Sequence, residues 1–252
     1  MKYLLILIVL FFTSCANIQE KVRNAVQSEN AKEIRNDYKE IIKLLSLYKK
    51  KLDKRNPQNY DIKLSFLLQD NITNNTNTIN LFKDVESNTL KYTDYLSLSF
   101  NKETSIENRN DYLIVGLYKM FYNAYNMDVK YKMTALSYDL EILQKAYKNL
   151  QIFQWKIKFD KDSEEKYLFL TWQNNWQVEL EEKLENSSLN NINFNEILNI
   201  RLKKESLLDP SNTSFEVITA KMILYMERTI KMLHAEPESL TIDALLSIIF
   251  II

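Results

Sequence analysis

Residues 34–52, IRNDYKEIIKLLSLYKKKL, decide the fold class of this chain. Their large apolar side chains, Ile34, Tyr38, Ile41, Leu45, Tyr48 and Leu52, step by 4, 3, 4, 3 and 4. That spacing puts all six on one stripe of an α-helix, with Lys, Glu and Asp on the other faces. The seam is shorter than three heptads, so its partner is expected inside the same domain, not in a free-standing coiled coil. Upstream, Ile18, Val22 and Val26 are sparser and stand among Glu20, Lys21, Arg23, Glu29 and Lys32. Residues 15–33 therefore read as a tether running into the long helix, and residues 34–252 as one mainly helical domain.

The same period recurs downstream. Met133, Leu136, Leu140, Leu143, Tyr147 and Leu150 step by 3, 4, 3, 4 and 3. Asn56-Pro57 resets the chain and opens a second helix over 57–69, because Asn caps and Pro suits the first helical position. Its inward face is read as Tyr60, Leu64, Leu67 and Leu68, and residues 70–80 as a polar loop. Residues 81–98 read as helix, although Leu96-Ser97-Leu98-Ser99-Phe100 alternates and also suits a strand. Thr104-x-x-Glu107 and Thr213-x-x-Glu216 fit capping boxes, each ahead of an apolar helix. Further helices are read over 176–184 and 197–208.

Gly116, the only glycine, falls inside the helix after Thr104. A mid-helix glycine costs about 1 kcal/mol against alanine, so something is expected to approach its backbone closely, most simply another helix. Over residues 153–172 the period changes to alternation: Trp155, Ile157 and Phe159, then a polar turn, then YLFLTW. This segment reads as a β-hairpin lying against the helices. The fold class expected is mainly α, an antiparallel helical bundle or irregular helical array with that one hairpin. The last nine residues, ALLSIIFII, are too few to span a bilayer as a helix and are expected to bury in the core or dock on a partner or membrane.

The residue counts exclude several chemistries. One Gly in 252 residues leaves no glycine-rich phosphate loop. One Cys allows no internal disulfide or cysteine zinc site, and one His no two-histidine metal motif. No cofactor or metal site is therefore expected. Lys and Arg number 33 and Asp and Glu number 33, and a neutral chain lacks the concentrated basic surface that nucleic acid demands. The 27 Asn, with abundant Lys and Ile, read as a bias of genome composition.

The N-terminus has a different logic. After Met1-Lys2, residues 3–12 are uninterrupted apolar, followed by Thr13-Ser14-Cys15-Ala16. Ten residues of helix span about 15 Å, half the hydrocarbon layer, so the run has the dimensions of a signal peptide core and not of a span. Small residues directly before the only cysteine resemble the signal of bacterial lipoproteins, with Phe12 where Leu is usual. The resemblance covers residues 1–15. It implies removal of residues 1–14, lipid attachment to Cys15 and anchoring in the cell envelope. Ala16 in place of Asp favours the outer membrane.

No Ser/His/Asp arrangement can be specified, so binding is expected rather than catalysis. His234, at a helix end, reads as a cap or surface residue. Glu181, Glu182 and Glu185 read as a solvated helix face. Trp172 and Trp176, in TWQNNWQ, combine flat rings with amide donors and are the candidate contacts for a ligand or partner. The function expected is that of a lipid-anchored adaptor or structural component of a membrane-associated assembly, with a protein partner. The alternative is a lipoprotein that binds cell-wall glycan or a small solute.

Overall fold

The computed structural model describes residues 28–75, 90–103, 107–128, 134–171, 179–180, 183–184, 197–198, 210–241 and 250. Among these lie six long helical elements: α1 (Glu29–Arg55), α2 (Ile62–Asn74), α3 (Tyr92–Ser99), α4 (Arg109–Ala124), α5 (Leu140–Phe159) and α6 (Pro210–Met232). Short 3-10 turns occupy Pro57–Asn59 and Ala135–Ser137. The protein is mainly α, and no strand occurs among the described residues.

Helix α1 is the axis. Ser28 caps it by accepting the Ala31 N–H at 3.3 Å, and every residue of the Ile34–Leu52 seam is buried. It packs most extensively on α6, and also on α2 and α4, while α3 lies on α4 and α5 on α6. Tyr48 stands edge-on to Phe153 of α5 and Phe215 of α6, with centroids at 5.6 and 5.0 Å. One side chain of α1 thus joins three helices through aromatic contacts. Asp37, fully buried on α1, takes a two-pronged pair from Arg228 on α6 and a hydrogen bond from Thr229.

Helix α4 meets α3 at the lone glycine. A Cβ on Gly116 would lie 2.8 Å from Leu96 Cγ and Cδ2 and 3.1 Å from the Leu96 backbone nitrogen. The close approach expected from sequence is therefore the α3–α4 contact. Gly116→Val should cost about 2–3 kcal/mol by overpacking. Gly116→Ala should cost less, because about 1 kcal/mol of helix propensity is regained. Urea unfolding measures both, and a valine variant as stable as wild type would show the contact to be loose. Arg109, buried at the start of α4, donates to the carbonyls of Ser99, Asn101 and Glu103 and so closes the end of α3.

The β-hairpin expected over 153–172 is not formed. Residues 153–159 finish α5, whose core face keeps helical spacing through Leu143, Tyr147, Leu150, Phe153 and Ile157. The apparent alternation has a helical explanation. Trp155 and Phe159 stack one turn apart at 4.4 Å, Lys156 pairs with Asp160, and Lys158 pairs with Glu216 on α6. Beyond Asp160 the chain makes a tight reversal with a single bridge, Lys161 to Tyr167, carrying Glu165 at φ 63°. Asn56 then holds the returning chain, donating to the Leu170 carbonyl and accepting the Leu170 N–H at 2.7 Å.

Other boundaries move. Leu96–Ser99 is helical, which resolves the choice at that segment for helix. Helix α2 continues through Asp70 to Asn74, so the loop read over 70–80 begins later. Asn75, in the left-handed conformation, provides the stop. Helix α4 opens after Asn108, with Glu107 in the turn before it, and Thr104 lies outside the described residues. Helix α5 opens at Asp139, whose carboxylate accepts the N–H groups of Glu141 and Ile142, and not near Met133. Helix α6 is already running at Thr213, because Pro210 starts it.

With glycine nearly absent, left-handed backbone falls to Asn75, Asn108, Asn126, Glu165 and His234 among the described residues. Three of the five are Asn, the non-glycine residue best suited to it. At these positions the abundance of Asn has a structural use. Of the apolar tail, Phe250 is described: it is buried against Phe100 with centroids at 5.6 Å.

Candidate functional site

The residues singled out for function from sequence fall mostly elsewhere. Cys15, Trp172, Trp176, Glu181, Glu182 and Glu185 lie outside the described residues. His234 is described, and it terminates α6. It sits at φ 59°, with its N–H donating to the Lys231 carbonyl and the Ala235 N–H donating to Ile230. This is a Schellman stop with histidine in place of glycine.

The structure instead draws attention to α2. Asp61 caps it by accepting the Leu64 N–H at 2.8 Å. Leu68 and Ile72 are fully buried, whereas Ile62 is 64%, Phe66 73% and Leu67 61% exposed. The inward face read from sequence is thus corrected at Leu67, which turns outward. This short helix carries apolar residues on more than one side, and the second set, with Ile62 and Phe66 one turn apart, has no cover among the described residues.

The opposite side of α2 is bolted down by a polar centre. Lys49 of α1, with 2% of its side chain exposed, pairs with Asp53 at 2.6 Å and also donates to the Ser65 hydroxyl of α2. Ser65 in turn donates to Asp53 at 2.7 Å, and Asn110 of α4 donates to the other Asp53 oxygen and to the Asn56 carbonyl. The neighbouring Asp111 accepts the Asp61 N–H through Oδ2, while its Oδ1 is buried without a partner. Burial raises the Asp111 carboxyl from 3.8 to about 7, with Lys49 and the Asp61 N–H pulling the other way.

A serine beside a lysine is a recurrent nucleophile–base pair. Here Lys49 is the donor to both oxygens and Ser65 gives its proton to Asp53. The triad is wired as a clamp, holding α2 to α1 and fixing how α2 presents its outer face.

A second feature lies on the other side of α2's end. The hydroxyls of Tyr38 on α1 and Tyr118 on α4 both donate to Asn75 Oδ1. Burial raises the pKa of both phenols, so both stay protonated. Below this junction opens a cleft of about 430 Å³ lined by Arg35, Tyr38, Lys39, Ile42, Lys43, Ser46, Thr73, Asn75 and Met127. Among the described residues, no group of three or more His, Cys, Asp and Glu is placed to hold a metal. No described helix is long and apolar enough to cross a membrane.

Comparison with known proteins returns no matching family model, curated protein or solved structure.

Proposed function

We propose that this protein is a lipid-anchored component of the bacterial cell envelope that acts by binding, as an adaptor in a membrane-associated assembly. Cys15 is the lipid-bearing residue, held most simply in the outer membrane, and α2 offers the contact to a protein partner. The observation that carries this reading is Phe66. A phenylalanine 73% exposed, with Ile62 one turn before it and Leu67 beside it, is costly apolar surface on a helix clamped in place from behind. A rigid helix with apolar anchors one turn apart suits an apolar groove on a second protein. Aromatic anchors of this kind carry much of an interface's binding energy.

A photo-cross-linking residue at position 66, in intact cells, should yield one discrete protein adduct. The same residue at the exposed Lys221 on α6 should not. Phe66→Asp should abolish the co-purifying partner yet alter stability by less than about 0.5 kcal/mol, since the ring is in water. In the same cells Cys15→Ala should remove metabolic palmitate label. Cross-links from position 66 to lipid alone would refute the protein partner, and absence of label on wild type would refute the anchor.

A further inference from the structure

Residues 57–74, the 3-10 turn and α2, are held on the bundle chiefly by polar contacts. Helix α2 buries Leu68 and Ile72 out of its 13 residues, and the turn buries none. Helix α4 beneath it buries most of its 16, and α1 buries its whole apolar seam. The other attachments of α2 are hydrogen bonds. Ser65 joins Lys49 and Asp53, Gln69 donates to the Ser46 hydroxyl at 2.5 Å, and Asn75 at its end takes the hydroxyls of Tyr38 and Tyr118. Bonds of this kind exchange for bonds to water at small net cost, whereas a buried apolar seam does not. This segment is therefore the part of the described bundle that lifts most easily.

Under its head lies Asp111, fully buried on α4. One carboxylate oxygen accepts the Asp61 N–H at 3.2 Å, and the other is buried without a partner. The charges that act on it are Lys49 and Asp53 of α1 and Asp61 at the head of α2. None of the described charges on α3 or α5 is among them, and the turn Pro57–Asn59 carries no titratable side chain. Once ionised, Asp111 faces two other carboxylates, and the one lysine near it is already engaged with Asp53 and Ser65. Water supplies the missing donors and screens that repulsion, but only if a covering element moves.

The near end of the segment has a fixed point. Asn56 is buried and donates to the carbonyls of Leu52 and Leu170, and it accepts the Leu170 N–H. Movement therefore begins at the Asn56–Pro57 junction. We infer that residues 57–74 form a flap that swings off α1 and α4 as one unit from this junction, and that ionisation of Asp111 drives its opening.

The sign follows from the two carboxyl environments. Shut, Asp111 keeps its proton up to about pH 7; open and hydrated, it releases the proton near its ordinary value of 3.8. Opening is rarest below about pH 4, grows as pH rises, and levels off above about pH 7, where both forms are ionised. For the partner contact proposed at Phe66, opening withdraws the fixed presentation of that face, and this consequence alone rests on that reading.

Hydrogen exchange of the purified full chain in dodecyl maltoside, read by mass spectrometry from pH 5 to pH 9, tests the flap with no partner present. The outcome is thus separate from cross-linking at position 66. A detached helix of 13 residues is marginal by itself, so its amides exchange once it lifts. After division by intrinsic exchange rates, protection over residues 62–74 should fall at least tenfold between pH 5 and pH 7, and by less than about twofold between pH 8 and pH 9. Amides of α1 and α4 should stay at least tenfold better protected throughout. Asp111→Asn should hold α2 protection level from pH 5 to pH 8, with its melting temperature confirming the fold. Ser65→Ala should lower α2 protection at every pH and keep the fall between pH 5 and pH 7. Equal wild-type protection at pH 5 and pH 7, loss in α1 and α4 by the same factor, an undiminished fall in Asp111→Asn, or unchanged protection in Ser65→Ala would each overturn the assignment.

Discussion

Replacing Arg228 with methionine should destabilise the fold by about 3 kcal/mol, more than replacing its partner Asp37 with asparagine, which should cost about 1 kcal/mol. The asymmetry follows from exposure. Asp37 is completely buried on α1, whereas 47% of the Arg228 side chain is exposed on α6. When the arginine is replaced by methionine, the buried carboxylate loses its counter-charge and keeps the Thr229 hydroxyl at 3.2 Å. When the carboxylate is neutralised, the guanidinium turns outward and hydrates, and Thr229 still donates to the amide oxygen. The pair joins the axial helix to the neighbour it packs on most extensively, so the loss is read on global unfolding. Urea titration of both single variants and the double provides the cycle. The double variant should be more stable than Arg228→Met alone, because the stranded charge is gone. Equal costs for the two single changes would show that burial at Asp37 does not dominate the pair.

Asp111→Asn should stabilise the protein at pH 8, by about 2–3 kcal/mol. In the folded chain burial lifts this carboxyl from 3.8 to about 7. The unfolded chain releases the proton near its ordinary value, so between those limits the folded state holds one more proton than the unfolded. Stability is then fully present below about pH 4 and is lost as pH rises towards 7, by at most about 4 kcal/mol at 1.36 kcal/mol per tenfold. Asparagine keeps an oxygen for the Asp61 N–H and carries no charge to desolvate. Melting curves from pH 4 to pH 8 should fall for wild type through this window and run flatter for the variant. The remaining groups titrate alike in both proteins, so the difference isolates Asp111. A variant less stable than wild type at pH 8 would mean that the ionised carboxylate interacts favourably with the polar centre.

The helical class was legible in sequence because its signal is local. Ile34, Tyr38, Ile41, Leu45, Tyr48 and Leu52 repeat at a helix's own period, and all six are buried. Gly116 was legible for a similar reason. A residue that weakens its own helix needs compensation from outside, and Leu96 provides it. The expectations that failed were those where two local explanations compete. Trp155, Ile157 and Phe159 satisfy a strand by alternation and a helix by the 155–159 and 153–157 spacings. The helix prevailed because α5 already runs through them and nothing before Asp160 stops it. The Thr213 box matches a pattern, yet Pro210 marks the actual start.

The sites were far less legible. Lys49, Asp53, Ser65, Asn110 and Asp111 are ordinary polar residues in sequence, and they converge only when α1, α2 and α4 meet. Leu67 and Leu68 are adjacent and chemically identical, yet one is 61% exposed and the other fully buried. A helix turns by about 100° per residue, so which of the two faces the core depends on where its neighbours sit.

From sequence alone come the helical class, the seam of α1, the close contact at Gly116 and the expectation of a lipid on Cys15. Each rests on periods and spacings that a chain carries whatever its tertiary partners. Tertiary structure decided that α2 turns Phe66 to solvent and that a buried lysine clamps it from behind. It also decided that Arg35, Lys39 and Lys43 of α1 line one cleft with Asn75 at the end of α2. Those facts depend on residues far apart in the chain meeting at fixed distances, and no local pattern encodes a distance between helices.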